Sequence, residues 1–297
     1  MRISRHSSTL VVEAPAKLNL SLKVLGQRSD GFHELHSLMV SVRLYDTIRF
    51  AQNDSTDITL SIHTLTPSAS SIPADSKNLV VRAAKLLQAK SQTELGANIH
   101  LTKRIPCEAG MGGGSSDAAA TLVCLNRLWN LNFNSEQLHE LAAELGSDLN
   151  FFIDSHPAAV CTGRGERISP ILMSRPLCFV IVKPNGGLST AEVFKQWSEV
   201  NDCFEGEFSI EEAIQSGQLQ LIAESINNDL QQPAREMSDD IDETLQLIDQ
   251  NNVVASGMTG TGSACFGLCR TWRAARRIAA KIKSQNNQQV WIVKSGV

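Results

Sequence analysis

The 297-residue chain has no Cys-x-x-Cys pair, no dense run of Lys or Arg, no apolar stretch of membrane-spanning length and no Gly-Lys-Ser/Thr anywhere. Each absence excludes something. Seven cysteines at 107, 124, 161, 178, 203, 265 and 269, odd in number and scattered through apolar stretches, read as reduced core residues and fit a reducing compartment. A formal net charge of −4 and a pI near 6.0 give no general attraction to phosphodiester backbones, so nucleic acid is not an expected partner. Without a spanning run no membrane is expected either. The opening MRISRHSSTL lacks the apolar stretch of a secretory signal and is short for an organelle transit peptide, which predicts a cytoplasmic protein. Because Gly-x-Gly-x-x-Gly is missing along with Gly-Lys-Ser/Thr, both a P-loop and a dinucleotide fold lose sequence support. There is no internal repeat and no low-complexity tract long enough to be a linker.

What is present is enough chain for two lobes that share an interface, with a cleft between them as the natural ligand site. Strands are predicted at 9–13 and 18–24. In the second, Leu18, Leu20, Leu22 and Val24 alternate with Asn19, Ser21 and Lys23, which predicts one buried and one polar face. QRSDG at 27–31 is turn chemistry, and the alternation resumes through Leu38, Val40, Val42 and Leu44 in a strand ending near Phe50. Asp75 or Ser76 is the predicted cap of a helix carrying Leu79, Val80, Ala83, Ala84 and Leu87, followed by a strand over 97–104. From Ser115 a nearly apolar row predicts a buried helix, and a second helix over 135–145 stops at Gly146, leaving Asp148 on a short loop. The turn-rich stretch 157–175 precedes an apolar strand at 178–182 and places the lobe boundary at 156/157. Helices follow around 209–216, 218–228 and 238–250, then strands at 253–256 and 263–269, a helix opened by Thr271 and a strand at 291–294. The class is mixed α+β.

The strongest local signal is PCEAGMGGGSSDAAA at 106–120, where Gly110, Gly112, Gly113 and Gly114 run directly into a helix start. Glycines let backbone N–H groups turn inward together, and the helix N-terminus adds unpaired donors and partial positive charge, a combination suited to phosphate oxygens. Ser115 and Ser116 add hydroxyls for a phosphate or a Mg²⁺ ion. A plain serine-capped turn is the competing reading, but four glycines in the five residues 110–114 make the loop entropically costly to order without an occupant. A second cluster, SGMTGTGSACFG at 256–267, reads equally as a tight hairpin or as backbone brought close to a phosphate or to the first glycine loop.

Segments 15–35 (PAKLNLSLKVLGQRSDGFHEL), 106–120 and 256–267 resemble, in that order, the three motifs of the GHMP kinases, and the similarity runs nearly end to end. With GSDLNFF at 146–152, the first segment is most similar to members acting on a cytidine diphosphate-linked methylerythritol. The resemblance implies an α+β, two-lobe GHMP kinase fold: an N-terminal ATP-binding lobe (1–156) with a ribosomal-protein-S5-like mixed sheet and helices, and a C-terminal substrate-binding α/β sandwich lobe (157–297) with an antiparallel sheet. It implies transfer of phosphate from ATP, with Mg²⁺, to the 2-hydroxyl of that small molecule, on the non-mevalonate route to isoprenoid precursors. By the same similarity Lys17 and Asp148 are the catalytic pair, and Asn19 lies beside them near the methylerythritol. Phe32 and His33 hold the cytosine by stacking and by hydrogen bonds to its edge. Phe194 covers the opposite ring face, flanked by Thr190 and Lys195. ATP phosphates fall in the loop of Pro106, Gly110, Met111, Gly112, Gly113, Gly114, Ser115 and Ser116, and Gly260, Thr261 and Gly262 close the site.

These residue types suit the reaction. Phosphoryl transfer has a loose transition state that needs positioning and charge compensation more than a strong base, so an ordinary aspartate with an adjacent ammonium suffices. Taken singly, an Asp after a helix is most often a solvated turn residue, a strand Lys is most often exposed, and Phe194 within VFKQW reads as helix core. Two departures from the family pattern carry expectations. Leu149-Asn150 stands where Val-Pro is frequent and predicts a less rigid loop after Asp148. Asp117 puts a carboxylate in the first turn of the phosphate helix, favourable to the helix dipole but repulsive to ATP unless Mg²⁺ or water intervenes. Metal ligands stay unassigned. Rival readings are a GHMP kinase for a homoserine or mevalonate type of alcohol, which the DGFH segment opposes, and a silent ligand-binding protein, which Lys17 with Asp148 opposes. A monomer or weak homodimer is expected, in a bacterial cytoplasm or, for a plant-type chain, a plastid.

Overall fold

In a computed structural model the described residues are 1–6, 8–65, 72–200 and 209–296, so Cys203 lies outside them. The chain opens with β1 (Arg2–His6), β2 (Thr9–Gln27), β3 (His33–Asn53) and β4 (Ile58–Thr64), then α1 (Leu79–Ser91) and β5 (Gly96–Lys103). Next come α2 (Gly113–Leu128), α3 (Ser135–Leu145), α4 (Leu149–Ile153), β6 (Ala158–Gly163) and β7 (Arg167–Pro170). The remainder is β8 (Cys178–Lys183), α5 (Thr190–Val200), α6 (Ile210–Ser216), α7 (Leu219–Glu224), β9 (Asn227–Asn228), α8 (Gln231–Met237) and α9 (Asp239–Asp249), ending with β10 (Ala255–Met258), β11 (Cys265–Cys269), α10 (Trp272–Gln285) and β12 (Gln289–Lys294). A mixed sheet runs β1-β2-β3-β5-β4, with β6 and β7 continuing from β3 and β9 added parallel to β2; a separate antiparallel sheet runs β10-β11-β8-β12.

Three apolar clusters hold the molecule together, and β2 passes through all of them: Leu10, Val12 and Ala14 face α1 to α4, Ala16, Leu18 and Leu20 face the second sheet, and Leu22 and Val24 join the helices behind it. Strand periodicity divides β8 likewise, with Phe179 and Ile181 packed toward β2 and Val180 and Val182 toward α5, α8, α9 and α10. Each fully buried side chain of this size contributes about 1.5–3 kcal/mol over its exposed state, so the inter-sheet cluster fixes how the two sheets meet.

Several sequence expectations change. The two strands predicted at 9–13 and 18–24 are one, Thr9–Gln27. Its polar side is not solvated: Lys17, Asn19 and Ser21 are 3 %, 2 % and 4 % exposed. The alternation was legible, but what covers the polar side comes from distant chain. Helix α1 is capped by Asn78, whose side chain accepts from the Val80 N–H, rather than by Asp75 or Ser76. The turn-rich 157–175 stretch contains β6 and β7, which belong to the first sheet, and β9 returns to that sheet from the later part of the chain. Short strands broken by Gly163 and Gly165 leave little periodic signal.

Candidate active site

From Ala16 to Leu20, one edge of β2 is bonded to β3, while on its other edge β1 has ended at Glu13 and β9 begins only opposite Ser21. The glycine loops fill that gap. The Lys17 N–H donates to the Met111 carbonyl (3.0 Å), and the Asn19 N–H, next to a register shift in the β2–β3 pairing, donates to Thr259 Oγ1 (3.0 Å). Thr259 Oγ1 in turn donates to the Gly110 carbonyl (3.2 Å), and Ala264 N–H to the Ala109 carbonyl (3.3 Å). The second glycine cluster is therefore both a hairpin between β10 and β11 and a direct partner of the first loop. Asn228 holds it there, its amide donating to the Met258 and Gly260 carbonyls (2.9 and 2.8 Å).

The Lys17 ammonium lies 3.5 Å from Asp148 Oδ2. It also donates to Asn19 Oδ1, while the Asn19 amide donates to Ser37 Oγ (2.8 Å) and Ser37 Oγ to the Ser21 carbonyl (2.6 Å). A strand side chain is thus aimed by a chain of buried bonds. Asp148 occupies the turn between α3 and α4, at the position preceding Leu149–Ile153. Leu149 and Asn150 open a buried helix turn, and the Asn150 amide donates to the Glu166 carbonyl (2.9 Å), so the less rigid loop expected here is instead anchored. Gly146 closes α3 with extended backbone (φ 168°).

Two cavities meet at the first glycine loop. One, of about 760 Å³, is lined by Lys17, Asn19 and Asp148, by Phe32 and His33, by Thr190, Phe194 and Lys195 of α5, and by Gly260, Thr261 and Gly262. The other, of about 370 Å³, is lined by Pro106, Met111, Gly113, Gly114 and Ser115. Glu108, Gly110 and Gly112 line both. Helix α2 begins at Gly113, two residues before its expected start, after Gly112 at φ 68°. The Ser116 N–H already donates to the Gly112 carbonyl (2.8 Å), leaving the first-turn donors of 113–115 without intrahelical acceptors. Ser116 itself is fully buried and lines neither cavity, a placement that its adjacency to Ser115 did not reveal.

At Gly110 and Gly112 the absence of a side chain is a packing requirement. A Cβ on Gly112 would sit 3.0 Å from Lys17 Cγ and from the Phe152 ring, and one on Gly110 would sit 2.0 Å from the Thr259 carbonyl oxygen. Beneath the loop, the Lys103 ammonium bridges Asp117 (2.7 Å) and Asp46, all three buried. Burial works against the ammonium, but Asp117 and Asp46 outweigh it and raise its pKa. Burial pushes the Asp117 carboxyl up to about 7, with Lys103 opposing and Asp46 adding to the shift. The carboxylate expected to repel ATP is therefore neutralised from below.

The aromatic end differs from expectation. His33 stacks directly on Phe194, centroids 4.8 Å apart and planes 20° from parallel, so these rings do not face each other across a ring-sized gap. Phe32, 49 % exposed, carries the Arg164 guanidinium over its face at 4.8 Å. Burial lowers the His33 pKa and favours the neutral imidazole, and its Nε2 is buried without a hydrogen-bond partner among the described residues. Arg164, Leu188 and Lys103 line the cavities without having been singled out in the sequence. Each stands alone among turn or strand residues, and Arg164 offered only its place between two glycines.

The two glycine loops meet beside the Lys17–Asp148 ion pair, and the chain belongs to the GHMP kinase family of small-molecule kinases. The family's N-terminal domain matches residues 78–163 and its C-terminal domain residues 210–288. Its similarity reaches further, to the proteins named 4-diphosphocytidyl-2-C-methyl-D-erythritol kinase. The one from Pelotomaculum thermopropionicum is 37% identical over 276 residues, 93% of this chain and 94% of its own. That from Bacillus pumilus is 37% identical over 270 residues, 91% of each. A crystal structure of 4-(cytidine 5'-diphospho)-2C-methyl-D-erythritol kinase aligns with a TM-score of 0.79 and 31% identity over 97% of this chain and 99% of that one. Among the described residues no helix is long and apolar enough to cross a membrane.

Proposed function

We propose that the protein transfers the γ-phosphoryl group of ATP to the 2-hydroxyl of 4-diphosphocytidyl-2-C-methyl-D-erythritol, giving the 2-phosphate and ADP, with Asp148 as base and Lys17 assisting. The observation that carries this reading is the Lys17–Asp148 ion pair at 3.5 Å, on the wall of the larger cavity and beside the glycines shared with the smaller one. The smaller cavity receives the triphosphate on the donors of 113–115 and the Ser115 hydroxyl, and the larger one receives the alcohol. The hydroxyl oxygen forms its bond to the γ-phosphorus as the bond to the β,γ-bridging oxygen breaks, and the hydroxyl proton passes to the Asp148 carboxylate. Lys17, held by Asn19 and by the Met111 carbonyl, offsets charge on the moving group without reorganising.

Mg²⁺ would be held on the phosphate side by hard oxygen donors, for which the lining residues Ser115 and Glu108 are suited. It would supply neutralisation of charge on the nucleotide phosphates. His33 and Phe32, which both line the larger cavity, read the base. We take the enzyme to act in the cytoplasm on free small molecules, as a monomer or weak homodimer, a reading supported by its net charge of −4 and its bacterial relatives.

The test pairs a variant with a substrate panel. Asp148→Asn is expected to lower kcat by about 10²–10⁴ while MgATP still binds; near-normal turnover removes Asp148 from the mechanism. In a coupled ADP-release assay the cytidine-linked alcohol is expected to be used in strong preference to homoserine or mevalonate, and equal turnover of either rejects the substrate.

A further inference from the structure

Both ends of the larger cavity have an assignment above, but the part of the acceptor between them does not. An alcohol joined to cytidine through a diphosphate must place that anion between the base readers Phe32 and His33 and the reacting pair Lys17 and Asp148. Three cationic side chains line the cavity: Lys17, Arg164 and Lys195. Lys17 is engaged with Asp148 and Asn19, and Lys195 follows Phe194 on α5. The turn that carries Arg164 reaches both ends. The Arg164 guanidinium lies over the Phe32 ring at 4.8 Å, and a Cβ added to the next residue, Gly165, would lie 3.7 Å from Asp148 Oδ1.

The turn that presents Arg164 is built. Gly163 and Gly165 on either side have φ of 72° and 113°, conformations that favour glycine. The Arg164 N–H donates to Glu166 Oε2 (2.6 Å), the Gly165 N–H to the Thr162 carbonyl (3.1 Å), and Asn150, two residues after Asp148, ties the turn to α4 through the Glu166 carbonyl (2.9 Å). Carboxylates surround the guanidinium only loosely: Arg164 Nε is 4.0 Å from Glu166 Oε2, beyond hydrogen-bond reach, and Asp30 acts through space while it accepts from Arg28. A planar guanidinium presents five N–H donors in a fork that matches paired phosphate oxygens.

We infer that Arg164 is the positioning residue for the acceptor's diphosphate, held over Phe32 and coupled to Asp148 through the 163–166 turn. The inference rests on the substrate class proposed above. It makes specificity a matter of span: base, anion and hydroxyl are gripped at three points along one wall, and an alcohol without the diphosphate forfeits the middle one.

Calorimetric titration of CDP and of cytidine into the full-length protein tests this, with Arg164→Met, Arg164→Lys and Lys195→Met as variants. The wild type is expected to bind CDP more tightly than cytidine. Arg164→Met is expected to weaken CDP by about tenfold to a hundredfold, the usual value of a charge-assisted contact, and cytidine by less than about threefold, with Arg164→Lys between. In turnover, KM for the full acceptor should rise by a similar factor while kcat and KM for MgATP stay within about threefold. A CDP preference that survives Arg164→Met overturns the proposal, as does its disappearance only in Lys195→Met. Parallel loss of CDP and cytidine also overturns it, since that makes Arg164 a prop for Phe32. If wild-type protein binds neither ligand, the substrate reading itself has failed, a result distinct from a wild type that binds CDP and an Arg164→Met variant that binds it equally well.

Discussion

Replacing Gly112 by alanine tests the junction of the two cavities with one methyl group. Gly112 has φ 68°, and its Cβ would lie 3.0 Å from Lys17 Cγ, 3.0 Å from Phe152 Cζ and 3.1 Å from Phe152 Cε2. Holding a non-glycine residue in the left-handed region costs about 1–2 kcal/mol, and crowding a packed interior costs about 1–3 kcal/mol more. The sum is about 2–5 kcal/mol, which for a chain of this size lowers Tm by about 4–10 °C. Phe152 is fully buried and cannot retreat, whereas the Lys17 stem ends in a cavity, so relief moves the ammonium. A displacement near 1 Å at a reacting group costs about 10² in rate. Melting curves and steady-state kinetics together read both effects: Tm falls by several degrees, kcat by about 10², and KM for the acceptor much less. Gly114→Ala is the comparison, because its Cβ would meet only Leu79 Cδ1 at 3.7 Å and its backbone is already helical. A Gly112→Ala enzyme with kcat within threefold of wild type refutes the placement of Lys17 at the reacting hydroxyl.

The remaining predictions concern charge and recognition. Lys103→Met strands Asp46 and Asp117, 0 % and 2 % exposed, without a counter-ion and should cost about 3–5 kcal/mol in chemical denaturation; adding Asp117→Asn should recover part of it, and no recovery would show that the two carboxylates do not share the lysine. Asp117 titrates at about 7 in the folded protein against 3.8 as a free side chain, so between those values the folded state holds a proton that the unfolded state has lost. Its contribution is fully present below about pH 4 and is lost as pH rises through 7. Relative to wild type, Asp117→Asn should therefore gain in Tm between pH 5 and 8, and a constant difference would contradict the raised value. His33→Ala should raise KM for the cytidine-linked acceptor and leave MgATP unaffected, and equal losses on an alcohol lacking cytidine would remove His33 from base reading. Asn150→Ala should raise the acceptor KM by loosening the 163–166 turn, with kcat changed less; an unchanged KM would mean that Glu166 and the glycines hold the turn unaided.

Local composition was sufficient for whatever depends on neighbouring residues. The period-2 runs of β2 and β3, the apolar row of α2, the bounds of α3 and the glycine loop ahead of a helix were legible because each signal lies within a few residues and is set by backbone sterics and periodicity. The three motif segments likewise carried the family, and with it Lys17, Asp148 and the glycine cradle as candidates. What distant segments decide was not legible. Nothing in the alternation of 18–24 shows that Thr259 and Met111 close the open edge of the strand, that Lys103 reaches both Asp46 and Asp117, or that His33 lies against Phe194. Arg164 is the clearest case, an arginine between two glycines in a turn-rich stretch that only the folding of β6 and β7 onto the first sheet brings beside Phe32 and Asp148. Periodicity and turn chemistry act along the chain, whereas burial of a charge and the aim of a side chain depend on what packs across from it, and that partner is chosen by the tertiary fold.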